Sequence, residues 1–347
     1  MSLPFDPPIK PMLAKLQTDM PEGEEWRYEP KWDGFRAIVF RDGPDTSLIS
    51  RDERPFERYF PELIPALEEA LPGSCVVDGE IVIATETSLA FDALLLRIHP
   101  AASRVKMLAE EGPSSFVAFD LLAEGSKDLR DAPLSERREG LESRLEATPI
   151  SSRASREEVM AALRPAPRVA LTPHTSDVRE AKNWFEAYEG AGLDGVIAKK
   201  HDLVYRSGQR SMVKLKHKRT ADCVVGGYRL SKAGDGVGSL LLGLYDDSGG
   251  LHYVGHTSSF KAAERRALLA ELKPLEGGSS FGAGRTPGGP SRWASAKDVS
   301  WIALEPSLVC EVSFDHMQGH RFRHAATFLR WRPEKRPREC TWDQVKD

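Results

Sequence analysis

Residues 31–36, Lys-Trp-Asp-Gly-Phe-Arg, constrain this chain more than any other stretch. They set Asp33 and Gly34, a strong tight-turn pair, between two runs that both read as strands, residues 26–29 and 35–40. The expectation is a hairpin, with Lys31 at the rigid end of its first strand beside a turn free of side-chain bulk. Two readings follow: Lys31 is a nucleophile aimed at a phosphate, or an ordinary exposed lysine beside a hairpin. The six residues alone do not choose between them. A nucleophilic lysine must be neutral, and with an ordinary pKa of about 10.4 only about one molecule in 2,500 qualifies at pH 7, a cost of about 4.6 kcal/mol. Nearby cations such as Arg36, Lys214, Lys216 or a bound magnesium lower that cost, if the fold gathers them.

Strand-like runs at residues 35–41, 47–50, 75–83, 116–122, 168–172 and 195–199 are separated by helical patterns. Phe56, Phe60, Leu63, Leu67 and Leu71 recur at helical spacing, residues 134–145 form a charged amphipathic stretch, and residues 178–188 read as a helix ended by Gly190. This irregular interleaving predicts α+β with antiparallel sheets. From Thr220 the character changes. Short strands at residues 221–229, 239–245, 251–255 and 307–315, glycine-rich turns and one helix at residues 260–272 predict a small Greek-key barrel of the OB type. Residues 234–238 read as a hairpin turn, and residues 277–290, rich in Gly, as a long loop. The chain of 347 residues thus divides into two domains, residues 1–218 and 219–347.

A net charge of −4 argues weakly against a polyanion partner, but the charge is unevenly spread. Lys199, Lys200, Arg206, Arg210, Lys214, Lys216, Lys218 and Arg219 crowd together, and Arg321, Arg323, Arg330, Arg332, Lys335, Arg336 and Arg338 form a second cluster. Local patches govern contact with a phosphate backbone, although a solvated basic face gives the same pattern. The four cysteines, Cys75, Cys223, Cys310 and Cys340, form no C-x-x-C pair, so neither a structural zinc site nor a disulfide framework is expected. No apolar run approaches a membrane span and the start lacks a signal-peptide pattern, so a cytoplasmic protein is expected.

The hexapeptide has companions. Ser50-Arg51, the Asp-Gly-Glu-Ile of residues 78–81, the Ala-Phe-Asp of residues 118–120, the Asp-Gly-Val-Ile-Ala-Lys of residues 194–199, the Val-Lys-Leu-Lys of residues 213–216 and the Arg-Trp-Arg-Pro-Glu-Lys of residues 330–335 follow in order. In this order and spacing the set resembles the covalent nucleotidyltransferases, most closely the ATP-dependent DNA ligases of the bacterial ligase C and ligase D type. The resemblance implies an adenylation (nucleotidyltransferase) domain over residues 1–218 and an OB-fold domain over 219–347. It implies a monomer that seals nicked double-stranded DNA with ATP and Mg2+ or Mn2+, in repair, alongside separate polymerase, primase or end-processing proteins. Two other readings stay open: an RNA ligase or capping-type guanylyltransferase, and a non-catalytic OB-fold nucleic-acid binder.

The same resemblance distributes roles. Lys31 is the nucleophile that takes AMP, with Asp33, Lys214 and Lys216 as further catalytic residues. Glu29, Arg36, Arg51, Glu80, Phe119 and Lys199 join Lys31, Lys214 and Lys216 around the nucleotide: Phe119 stacks on adenine, Glu29 lies near its exocyclic amine, and the two arginines hold ribose and phosphates. Glu80 and Asp194 are the metal ligands. Arg332 and Lys335 orient the pyrophosphate leaving group, which requires the barrel to swing over the nucleotide and away again. Three departures stand out. Asp194 occupies a position where Glu is commoner, Glu334 stands for the usual Asp, and Met212 lies where Trp is common.

Overall fold

The computed structural model describes residues 3–145, 150–188, 191–217, 219–281, 287 and 300–345, with Asp194 described by its backbone only. The chain forms two compact units, Met1–His217 and Lys218–Asp347. Most of the glycine-rich loop expected at residues 277–290, and Lys218 of the first basic cluster, lie outside the described residues.

The first unit is built on two sheets. One has the order β1 (Leu13–Gln17), β10 (Arg210–Leu215), β9 (Leu193–Lys200), β2 (Trp26–Trp32); β1 and β10 are parallel, and the other pairs are antiparallel. The second has the order β4 (Asp45–Ser50), β3 (Phe35–Asp42), β5 (Cys75–Val82), β6 (Ser115–Glu124), β7 (Lys127–Asp128), with β8 (Val169–Leu171) parallel to β6. This overturns the expected hairpin. The strands before and after Asp33-Gly34 do not pair: β2 pairs with β9, and β3 with β4 and β5. The chain changes sheets at Gly34, where a Cβ would stand 2.1 Å from the Ile81 carbonyl oxygen. Glycine is required there by a close backbone approach rather than by a hairpin turn.

Among the described residues, six helices, α1 (Leu63–Ala70), α2 (Phe91–Arg97), α3 (Ala102–Glu111), α4 (Leu134–Arg144), α5 (Arg156–Ala162) and α6 (Val178–Ala187), complete this unit. The helical spacing from Phe56 to Leu71 breaks in two, a 3-10 turn at Glu57–Tyr59 and then α1. Pro61 explains the break, because it disfavours helical backbone at Phe60, found at φ −134°, ψ 54°. Period-two alternation sorts the second sheet. Ala37, Val39, Val77, Ile81, Phe116 and Ala118 pack in one cluster with Leu63 and Leu67 of α1. The alternate positions Ile38, Phe40 and Val76 pack instead with Met12, Met212 and Tyr205. Arg36, Asp78 and Glu80 share that second parity, so their side chains stand on the face turned towards the first sheet.

In the second unit β13 (Leu251–Thr257), β12 (Val237–Tyr245), β11 (Arg219–Leu230), β15 (Val309–Phe314) and β18 (Thr327–Trp331) pair in that order, with β14 (Ile302–Ala303) also on β11. Beside them lie the two-stranded β16 (Met317–Gln318) and β17 (Arg321–Phe322), and helix α7 (Ala262–Leu272). A bridge between Thr257 and Ala326, reinforced by Ala326 N–H donating to the His256 carbonyl at 2.9 Å, joins the two outer edges and closes the sheet as an OB-type barrel requires. The expected hairpin turn at residues 234–238 connects β11 to β12. Strand β18, which carries Arg330, is not among the strands expected from the sequence. The cysteines are free and buried. Cys223 and Cys310, far apart in sequence, face each other across β11 and β15, and burial pushes the nearby Cys340 thiol up to about 12. These are packing residues, since thiols so held stay protonated.

Candidate active site

Lys31 is half-buried near the end of β2 and has no hydrogen bond or ion pair among the described residues. The same face of the first sheet carries Glu29 two residues before it on β2, Lys199 on the neighbouring β9 and Lys214 one strand further, on β10. Opposite them the second sheet presents Arg36 and Glu80, which are direct cross-strand partners on β3 and β5. The two sheets therefore bring together groups from four separated stretches.

Electrostatics distinguish these groups. Burial pushes the Glu80 carboxyl up to about 7, against the pull of Arg36 and Lys31 and with the push of Asp33 and Asp78. Lys214 is pushed below the ordinary lysine value, first by burial and then by Lys216, Lys31, Arg51 and Arg210. This is the crowding of cations that phosphate chemistry on a lysine needs. Arg51 is exposed beyond β4, where its backbone N–H donates to the Arg36 carbonyl at 3.1 Å. Asp33 is buried, and its backbone N–H donates to the Gly192 carbonyl at 3.0 Å.

Two expected ligand contacts have protein partners here. Lys199, only 2% exposed, lies 2.8 Å from Glu29 Oε2 in an ion pair, so it belongs to the site and not to a solvated basic patch. Phe119, 7% exposed, has the Arg36 guanidinium 4.3 Å and the Lys199 ammonium 4.9 Å from its ring centroid. Its ring already carries two cations. Arg206 and Arg210, from the same basic stretch, are exposed. The metal-ligand expectation for Asp194 falls on a side chain outside the described residues.

Two residues given no role from the sequence stand directly behind the site. Asp78, fully buried, grips Arg36 with both oxygens, Nε to Oδ1 at 2.5 Å and Nη2 to Oδ2 at 2.6 Å. The Tyr205 hydroxyl donates to Asp78 Oδ2 at 2.6 Å. Asp78 sits inside the Asp-Gly-Glu run, so its position was visible and its burial was not. Tyr205 opens the Tyr-Arg-Ser-Gly-Gln-Arg run of residues 205–210, which resembles the DNA ligases, but nothing in the sequence marked its hydroxyl as a partner of Asp78.

In the second unit Arg332 is ion-paired to Asp222 at 2.8 Å, Glu311 at 3.5 Å and Glu334 at 2.5 Å, and Lys335 lies 3.6 Å from Asp222. Arg330 pairs with Glu311 at 2.7 Å, and the Arg338 guanidinium covers Tyr245 at 4.3 Å. Much of the second basic cluster is thus engaged within its own unit.

Among solved structures, the fold matches a structure titled for Lig E DNA ligases with a TM-score of 0.57 and 20% identity, over 93% of this chain and 100% of that one. DNA ligase C2 of Mycolicibacterium smegmatis is 50% identical over 99% of this chain and 96% of its own length. The multifunctional non-homologous end joining protein LigD of Mycobacterium bovis is 30% identical over 95% of this chain but only 39% of its own length. The profile of the ATP dependent DNA ligase domain matches residues 11–218, and that of the ATP dependent DNA ligase C terminal region matches residues 233–335. With both profiles in chain order and a full-length relative at half identity, this chain belongs to the ATP-dependent DNA ligase family.

Proposed function

We propose that Lys31 carries the AMP in a three-step joining of nicked double-stranded DNA. Neutral Lys31 Nζ attacks the α-phosphorus of ATP. A P–N bond forms, the P–O bond to pyrophosphate breaks, and the amine proton is released. An oxygen of the 5′-phosphate at the nick then attacks that phosphorus and frees Lys31. The 3′-hydroxyl attacks the activated 5′-phosphate, loses its proton and expels AMP. Negative charge gathers at phosphorus in every step, so Lys214, Lys216 and Arg51 act as its counter-charges. The observation that supports this reading most directly is the placement of Lys31 and Lys214, neither ion-paired among the described residues, opposite Glu80 and Arg36 across two sheets.

Arg36 and Glu80 take the ribose and phosphate oxygens of ATP, and Glu29 with Lys199 borders the base. Phe119 backs the base from behind Arg36 and Lys199. Asp33 supports the crossing from β2 to β3 that aims Lys31. Glu80 also fits a hard divalent cation, because a carboxyl held near 7 by burial gains its charge most readily beside positive charge. Glu80 would hold Mg2+ or Mn2+, which would supply charge neutralisation to the phosphates. Arg332 and Lys335 act on the β- and γ-phosphates before pyrophosphate leaves. A monomeric cytoplasmic repair enzyme is the biological setting this reading favours. The LigD relative is named for non-homologous end joining, which supports polymerase, primase or end-processing proteins as partners.

The test is incubation with α-labelled ATP, GTP or NAD and a divalent cation, followed by nicked duplexes of DNA or RNA. An acid-stable adduct formed from ATP and discharged by nicked DNA is the expected result. A GMP adduct, or none, overturns the reading.

A further inference from the structure

Asp78 is a carboxylate without access to water, and such a group is tolerated only where donors surround it. It has three: Arg36 Nε, Arg36 Nη2 and the Tyr205 hydroxyl. The two-pronged pairing fixes the plane of the guanidinium, and Phe119 supports that plane from 4.3 Å. One edge of Arg36 is thereby committed, while Nη1 takes no hydrogen bond among the described residues and is left for a ligand oxygen.

Tyr205 is itself held firmly. Its backbone N–H donates to the Arg130 carbonyl at 2.7 Å, its ring packs with Met12, Ile38, Val76 and Met212, and its hydroxyl accepts from the Met12 backbone N–H at 3.0 Å. A phenylalanine would fill the same apolar space, so packing does not require the hydroxyl. Burial and the Asp78 charge both hold the phenol well above the ordinary tyrosine value, which keeps it a donor. We propose that Tyr205 is a positioning residue of the joining reaction, whose hydroxyl locks Asp78 and through it presents Arg36 Nη1 to the nucleotide. The proposal rests on the reading of Arg36 as a nucleotide-binding residue.

Self-adenylation of the full chain under single turnover, across ATP concentrations, tests it with Tyr205→Phe, Arg36→Lys and their combination. Tyr205→Phe should raise the half-saturating ATP concentration about threefold to tenfold while changing the limiting rate less. Asp78→Asn should reproduce that shift. The double variant should be no worse than Arg36→Lys alone, because residues acting through one contact do not add. Multiplying defects, or a Tyr205→Phe variant that merely melts earlier with unchanged ATP dependence, overturn the proposal. If Arg36→Lys alone leaves adenylation untouched, the reading of Arg36 fails first and takes this inference with it.

Discussion

On the proposed reading, the chemistry turns on Lys31 and Glu80. Lys31→Ala should form no protein–AMP adduct and seal no ordinary nick, yet still join a nick supplied with its 5′-AMP in place. Lys31→Arg should fail likewise, since guanidinium stays protonated; a lasting adduct in either variant would end the assignment. Glu80 yields a pH prediction. Its carboxyl sits at about 7 in the fold against an ordinary 4.5, so the folded state binds the proton more tightly than the unfolded state. Its contribution to stability is therefore intact below pH 4.5, declines between 4.5 and about 7, and is flat above. Thermal melts of the wild type and Glu80→Gln should diverge across that window, with the variant gaining relative stability as pH rises. The magnesium needed for adenylation should fall through the same window in the wild type only, because the cation binds the ionised form. Parallel melting curves would show that Glu80 is solvated.

At the scale of elements, the passage from β2 to β3 decides whether the site exists. Gly34 sits where a Cβ would collide with the Ile81 carbonyl at 2.1 Å and the Glu80 side chain at 2.9 Å. Gly34→Ala must push β3 away from β5, with a stability loss of about 1–3 kcal/mol by overpacking. Because Lys31 and Glu80 are carried by the displaced elements, adenylation should drop more than tenfold, well beyond what an equally destabilising core change such as Leu67→Ala produces at a temperature where both stay folded. Equal losses in the two variants would mean that the crossing only supports the fold. The sequence made this glycine conspicuous but suggested the wrong reason for it. A tight-turn pair between two apolar runs looks the same whether the strands pair with each other or leave for different sheets, because pairing partners are long-range.

The whole molecule places Lys31 and Arg332 in different compact units, which sets a test of timing. Arg332→Ala and Lys335→Ala should each slow self-adenylation by about tenfold or more while sealing of a pre-adenylated nick stays within about tenfold of wild type. Equal losses in both assays would assign this cluster to DNA binding or to the barrel itself, and a flattened salt dependence of nick binding would identify the former. Here the structure adds something the basic run concealed: Arg332 is already paired with Asp222, Glu311 and Glu334.

Local chemistry was legible in the order of residues. Strand-like runs marked many strands of both units, though not β1, β10 or β18, a basic dipeptide repeat marked Lys214 and Lys216, and the hexapeptide singled out Lys31, because these are properties of neighbours along the chain. Only the tertiary structure decided that β2 and β3 part company, that Lys199 is a buried partner of Glu29, and that Asp78 and Tyr205 stand behind Arg36. Tyr205 and Asp78 are separated by 127 positions and meet at 2.6 Å. Such contacts arise from which sheet faces which, a choice made by burial of the whole apolar set and carried by no short stretch of the chain.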